Sequence, residues 1–243
     1  MPSTSITSVL CPTGKLRAAI NLGNPILANL NPETNQPFGV SVDMAHELAK
    51  RLDVDLELVV VTGAAKSVSA LNDQRADVGF FAIDPLRGAE IAFTAPYVLI
   101  EGCYLVPQDS AIQTNTDVDQ PGVRVAVGTG SAYDLFLTRA LKNAQIVREA
   151  DVSAVVEAFL TQKLEVAAGI KQQLETVAAQ KLGLRLLDGH FMVIQQAMGV
   201  PKRFGDESAA YVSAFVEEMK ANGFVARAMA RHGIKGASVA AGY

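Results

Sequence analysis

Two rhythms of apolar and polar positions take turns along the chain. Short apolar-rich runs at residues 15–22, 56–61, 76–83, 123–127, 164–170, 184–187 and 191–198 predict strands, and those that are almost continuously apolar suit a sheet covered on both faces. Between them the period lengthens to that of a helix. Residues 42–52 put Val42, Ala45, Leu48, Ala49 and Leu52 on one face, with Ser41 typed as the N-cap. Residues 63–71 turn Val68 and Leu71 inward, residues 152–160 turn Val152, Val155, Val156, Phe159 and Leu160, and residues 209–219 turn Val212, Phe215, Val216 and Met219. Further helices are expected over 134–141, 172–182 and 225–231, with Asn222-Gly223 and Gly233 as stops. Alternating strands and helices predict an α/β protein with parallel sheets and right-handed crossovers. The small residues of 236–243 predict a mobile tail.

The central stretch, residues 79–97, reads GFFAIDPLRGAEIAFTAPY. A strand ends in Asp84-Pro85, an N-cap followed by a first helical residue that needs no N–H. Arg87 then falls on the first turn, at the carboxyl end of the strand, the edge of an α/β sheet where ligands bind. Its fork of donors matches a carboxylate two at a time. The plainer reading of Arg87 is a solvated helix arginine.

Composition changes this picture mainly by exclusion. With 243 residues, 49% apolar and 19% charged, the chain is long enough for one large domain or two small lobes with packed cores. A net charge of −4 and the lack of any basic run argue against nucleic acid as a partner. Cys11 and Cys103 form no CxxC, and His46, His190 and His232 have no ligand spacing, so neither a disulfide, a metal nor a cofactor is implied. No GxSxG or comparable catalytic constellation appears, and no catalytic residue is assigned. No apolar run is long enough to span a membrane, and residues 1–13 lack the pattern of a signal peptide.

Three further places carry polar chemistry. Gly128-Thr129-Gly130-Ser131-Ala132-Tyr133 links a strand to a helix start, where free N–H groups and the helix dipole favour an anion. Tyr133 replaces the third glycine of the dinucleotide fingerprint, which excludes that motif. Glu101 interrupts the apolar run 97–106, so it either has a partner in a cleft or faces water. Lys66, at the start of the helix 63–71, is either a cleft residue or a solvated lysine.

Asp84-Pro85-Leu86-Arg87 followed by Phe93-Thr94-Ala95-Pro96-Tyr97 resembles the type II periplasmic solute-binding proteins of the polar amino-acid family (solute-binding protein family 3), and the resemblance runs from Gly14 to about His232. It implies a two-lobed fold, each lobe a mainly parallel sheet flanked by helices, joined by two crossing segments. Residues 14–102 and 199–243 would form the first lobe, 103–198 the second, and 1–13 an N-terminal extension. It also implies a monomer that closes by hinge motion on a small ligand, an ABC permease in the membrane as partner, and a periplasmic location after removal of an export signal. A cytoplasmic protein is the alternative.

Under this resemblance the ligand-binding residues are Arg87, Ala82, Phe81, Lys66 and Asn24 on one lobe, and Gly130, Ser131, Ala132, Lys171 and Glu101 on the other. Ala82 stands where family members commonly have a ligand-binding hydroxyl, and Ala132 departs from a second one. Phe81 makes the wall more apolar or simply packs the core. The loop with Asn24 lacks the aromatic ring that amino-acid binders stack on their ligand. Lys171 occupies the strand end where they carry an Asp for the ligand ammonium, unless it merely starts the next helix. The expectation is a small carboxylate without a free α-amino group, with Glu101 as a residue that would still hold an ammonium. Importer-linked binding, a cyclohexadienyl-dehydratase-like enzyme using Glu101 as its acid, and a transporter-independent sensor are the three functional readings.

Overall fold

The computed structural model describes residues 4–242, apart from the side chains at positions 4, 5 and 152, so the expected inward face of Val152 lies outside the described residues. In chain order the elements are α1 (Thr4–Leu10), β1 (Lys15–Asn21), β2 (Asn29–Leu30), β3 (Pro37–Phe38), α2 (Val40–Leu52), β4 (Asp55–Val61), α3 (Ala64–Asn72), β5 (Val78–Ala82), β6 (Ile91–Pro107), β7 (Arg124–Gly128), α4 (Ala132–Ala140), β8 (Gln145–Glu149), α5 (Val152–Thr161), β9 (Val166–Ile170), α6 (Lys171–Gln180), β10 (Leu184–Leu186), β11 (Met192–Pro201), α7 (Gly205–Ala221), α8 (Phe224–Arg231) and β12 (Ala237–Val239). The chain forms two compact units. The first ends at Leu99 and resumes at Gln195; the second is Ile100–Ile194. The passages between them fall inside the long strands β6 and β11, a few residues before the expected points, because neither strand is interrupted where the chain changes unit.

In the first unit β4, β1 and β5 run parallel, and β11 joins β5 antiparallel, with Gln196 opposite Ala82. α3 packs on this sheet through Ala70 and Leu71, which meet Ala19, Phe81 and Ile91 in one apolar cluster. α2 begins after Gly39 rather than at Ser41. Gly39 has φ 132°, and a Cβ there would lie 2.4 Å from the Leu27 carbonyl oxygen, so only glycine fits the turn. Ser41 is inside the helix and buried, its hydroxyl 3.2 Å from the Tyr97 hydroxyl. Within the expected N-terminal extension, residues 4–10 form α1, which packs on α7, and Leu10 is fully buried. The tail is not free. Its strand β12 pairs with β6, Ala240 N–H donates to Tyr97 O, and the buried ammonium of Lys220 donates to Ala241 O.

In the second unit β7 runs parallel to both β8 and β9, and β6 runs antiparallel to β9. α5 and α6 cover the sheet. Val155, Ala158 and Phe159 of α5 and Leu174 of α6 close on Cys103, Leu105, Ala126 and Ala167. The acidic residue that precedes β9, Glu165, takes a two-pronged ion pair from Arg124, with the guanidinium 2.8 and 2.9 Å from its oxygens.

Candidate functional site

In the first unit, β1, β4 and β5 are parallel, so their carboxyl ends share one edge. The loop after β5 is shaped by Asp84. Its Oδ1 accepts the Leu86 N–H at 2.8 Å and its carbonyl accepts the Gly88 N–H at 2.9 Å. The expected short helix is therefore a single 3₁₀ turn, Arg87–Ala89, held from four residues upstream. This turn folds Arg87 back on its own strand. The guanidinium is buried, and Nη1 donates to the Ala82 carbonyl at 3.0 Å. Burial pushes the Arg87 pKa down and the charge of Asp84 opposes the shift, but an arginine remains protonated under any physiological condition.

The other candidates on this edge do different work. Phe81 sits in the core, edge-on to Phe93 with ring centroids 6.2 Å apart, and its ring packs under α3. It is a packing residue, because β5 is covered on both faces and both phenylalanines of the strand are buried. Asn24 is buried, and its Oδ1 accepts the Ile26 N–H in a local turn. Lys66 is exposed and donates to Thr62 Oγ1 at 2.9 Å, one helical turn back.

In the second unit the edge at the carboxyl ends of β7 and β9 holds the remaining candidates. After β7, Gly130 adopts φ 67° and Ser131 caps α4, its hydroxyl accepting the Asp134 N–H. The Gly130 N–H is not left for a ligand. It donates to Asp134 Oδ2 at 2.8 Å, and Arg148 Nε binds the other carboxylate oxygen at 2.9 Å. An internal anion thus holds the turn that was expected to hold an external one. The helix start still gives the N–H groups of Ala132 and Tyr133 no intrahelical acceptor.

After β9, Lys171 takes the second of its two expected positions, the start of the next helix. The strand ends at Ile170, an apolar residue that serves as the N-cap of α6 without any side-chain cap, and Lys171 is the first helical residue. Gly102 pairs with Ile170, which sets Glu101 directly across from Lys171. Their side chains meet with Nζ 2.6 Å from Oε2, each about a third exposed, and His190 Nδ1 lies 3.4 Å from the other carboxylate oxygen. The hydrogen bond from Lys171 holds the Glu101 carboxyl below the ordinary glutamate range against the opposing effect of desolvation, and the same bond raises Lys171. Glu101 therefore has a partner, and that partner is the very cation expected to attract a ligand.

The periodicities did not single out His190, Gln172 and Gln173. Gln172 Nε2 and Oε1 and Gln173 Oε1, next along α6, are shut off from solvent with no hydrogen-bond partner. The register that brings His190 to Glu101 depends on Phe191, whose N–H donates to Gly102 O and whose ring stacks on Tyr104 at 4.2 Å. Among the described residues no group of three or more His, Cys, Asp or Glu is arranged to hold a metal, and no helix is long and apolar enough to cross a membrane.

Residues 16–234 match the family model described as bacterial extracellular solute-binding proteins, family 3. The amino-acid-binding protein AabA of Dichelobacter nodosus is 22% identical over 166 residues, covering 67% of this chain and 65% of that one. A cyclohexadienyl dehydratase of Pseudomonas aeruginosa is 30% identical over 132 residues, covering 52% and 48%. The chain thus spans less than two thirds of the length of both relatives. Among solved structures, an amino acid ABC transporter substrate-binding protein from Streptococcus pneumoniae, bound to L-arginine, superposes with a TM-score of 0.75 at 19% identity, covering 94% of this chain and 98% of that one. At that identity the likeness shows the fold.

Proposed function

The chain belongs to the bacterial extracellular solute-binding proteins of family 3, and from that premise we propose that it captures a small carboxylate-bearing solute outside the cytoplasmic membrane, in the periplasm, and delivers it to an ABC-type importer. The observation that carries this reading is the setting of Arg87. The guanidinium is buried and kept at a sheet edge by its bond to the Ala82 carbonyl and by a turn built around Asp84. Such an arginine is suited to receiving a carboxylate through two parallel hydrogen bonds.

The relatives support the class of ligand. One is named as an amino-acid-binding protein and a solved neighbour carries L-arginine, and every amino acid has a carboxylate. On the second unit the charges of Glu101 and Lys171 cancel, so the dicarboxylate favoured by a lone Lys171 loses its basis. The unpaired amide atoms of Gln172 suit an uncharged polar group. The preferred ligand is a carboxylate without a free amine.

A second reading, an enzyme, is favoured by the dehydratase similarity. Its candidate acid is Glu101. A carboxyl held below the ordinary range by Lys171 is ionised at neutral pH and a poor proton donor, which favours binding over turnover.

A thermal-shift screen of carboxylates and amino acids tests the proposal. A ligand at a hundredfold its dissociation constant adds about 2.7 kcal/mol, and for a chain of this length that raises the melting temperature by roughly 5–10 °C. Arg87→Lys, which keeps the charge and loses the fork, is expected to weaken every hit, and Arg87→Ala to abolish them. Hits that survive Arg87→Ala in a folded protein would refute the role of Arg87.

A further inference from the structure

We propose that Lys171 acts as an internal counter-ion that occupies Glu101 and so sets the ligand class: it excludes amine-bearing solutes that Glu101 would otherwise hold. This inference rests on the carboxylate reading above and assigns its specificity to one ion pair.

The placement of Lys171 is unfavourable by itself. It opens α6, where the helix dipole presents its positive end, and Ile170 provides no capping side chain. The charge is compensated from a different strand. Glu101 stands opposite because β6 and β9 are paired with Gly102 against Ile170. The carboxylate would suit that helix start without Lys171, whereas Lys171 would not suit it without the carboxylate. Glu101 is thus the resident anion and Lys171 its plug.

The surroundings favour the same division. The titratable groups around Glu101 are Lys171 and His190, and Lys171 also has Cys103 and Glu175 within electrostatic range. With about a third of each side chain exposed, the pair lies where a solute has access. A ligand ammonium competes for Glu101 against a tethered ammonium 2.6 Å away, whose effective concentration no free solute approaches. An amine-free acid has no such competition to lose.

The test uses two matched pairs of probes, glutarate with L-glutamate and valerate with L-norvaline, titrated calorimetrically into the native chain and into Lys171→Met, Glu101→Gln and the double variant. The native chain is expected to bind the amine-free member of at least one pair tenfold or more tightly. In Lys171→Met the preference should reverse, the amine-bearing member gaining at least tenfold. The double variant should lose that gain, because Glu101 is then absent as well. A merely structural role for the pair would change both members alike.

If the native chain binds the acids and Lys171→Met leaves the preference within twofold, the counter-ion role is overturned while the carboxylate reading stands. If the native chain binds only amine-bearing members, or none of the four, the carboxylate reading fails and the counter-ion role with it. Unchanged circular dichroism of the variants checks that each is folded.

Discussion

Lys171 and Glu101 face each other across the β6–β9 ladder, with Nζ 2.6 Å from Oε2, although 70 residues separate them in the chain. Neither residue has this partner by virtue of its neighbours in sequence. The antiparallel register alone brings the two charges together.

The pair has a definite pH signature. The folded pKa of Glu101 is depressed, so its contribution to stability is present above the unfolded glutamate value and is lost as pH falls through the folded one. The folded pKa of Lys171 is raised, so its contribution is full below the unfolded lysine value and is lost as pH rises through the folded one. The melting-temperature gap between native protein and Glu101→Gln should therefore be widest near neutrality and shrink at both extremes. The stability difference behind that gap should be small, about 1 kcal/mol or less, since the pair is a third exposed and screened by solvent.

Asp77 is a different case. It is fully buried and accepts three hydrogen bonds from Arg17, one from the backbone and two from the guanidinium at 3.0 and 2.6 Å. Asp77→Ala leaves a largely buried cation without its counter-ion, which costs about 3–5 kcal/mol. Urea unfolding should show that loss, and the Glu101 pair, removed in the same background, should add to it without coupling.

Gly39→Ala should destabilise the first unit. The new methyl meets the Leu27 carbonyl oxygen at 2.4 Å and the Ala28 Cα at 2.9 Å, both backbone atoms that cannot move aside. The positive φ alone costs about 1–3 kcal/mol. Gly63→Ala, with nothing within 4 Å of its added carbon and an extended φ of 175°, is the control and should change stability little.

Both thiols should be silent in the native state. Cys11 and Cys103 are free and buried, and burial pushes each thiol up to about 11. The thiolate is the reactive species, so a disulfide reagent at pH 8 should label neither cysteine in the native protein and both in denaturant. Fast native labelling of Cys103 would mean that the packing of α5 and α6 on β6 opens readily.

Much of the fold was legible locally. The period of residues 42–52 foretold α2 within two residues, and the apolar run ending at Val61 foretold β4. The β5 strand, the Asp84 turn and the position of Arg87 on a sheet edge followed from residue types in a fixed order. Several short elements were not legible, among them β2, β3 and β12, which have only two or three residues each. α1 has seven residues, too few for a period to show, and β8 is a polar strand at the sheet's margin with only Ile146 and Val147 to mark it.

The sequence by itself determined the alternation of strands and helices, the family, and which side chains carry chemistry, because propensity, period and motif are local properties of neighbouring residues. Tertiary structure decided what those side chains meet. It turned Ser41 from a cap into a buried partner of Tyr97, gave the Gly130 N–H to Asp134, set Phe81 in the core and placed Glu101 against Lys171. Each of those outcomes is a pairing across strands or helices, and its energy depends on distances that strand register and packing create.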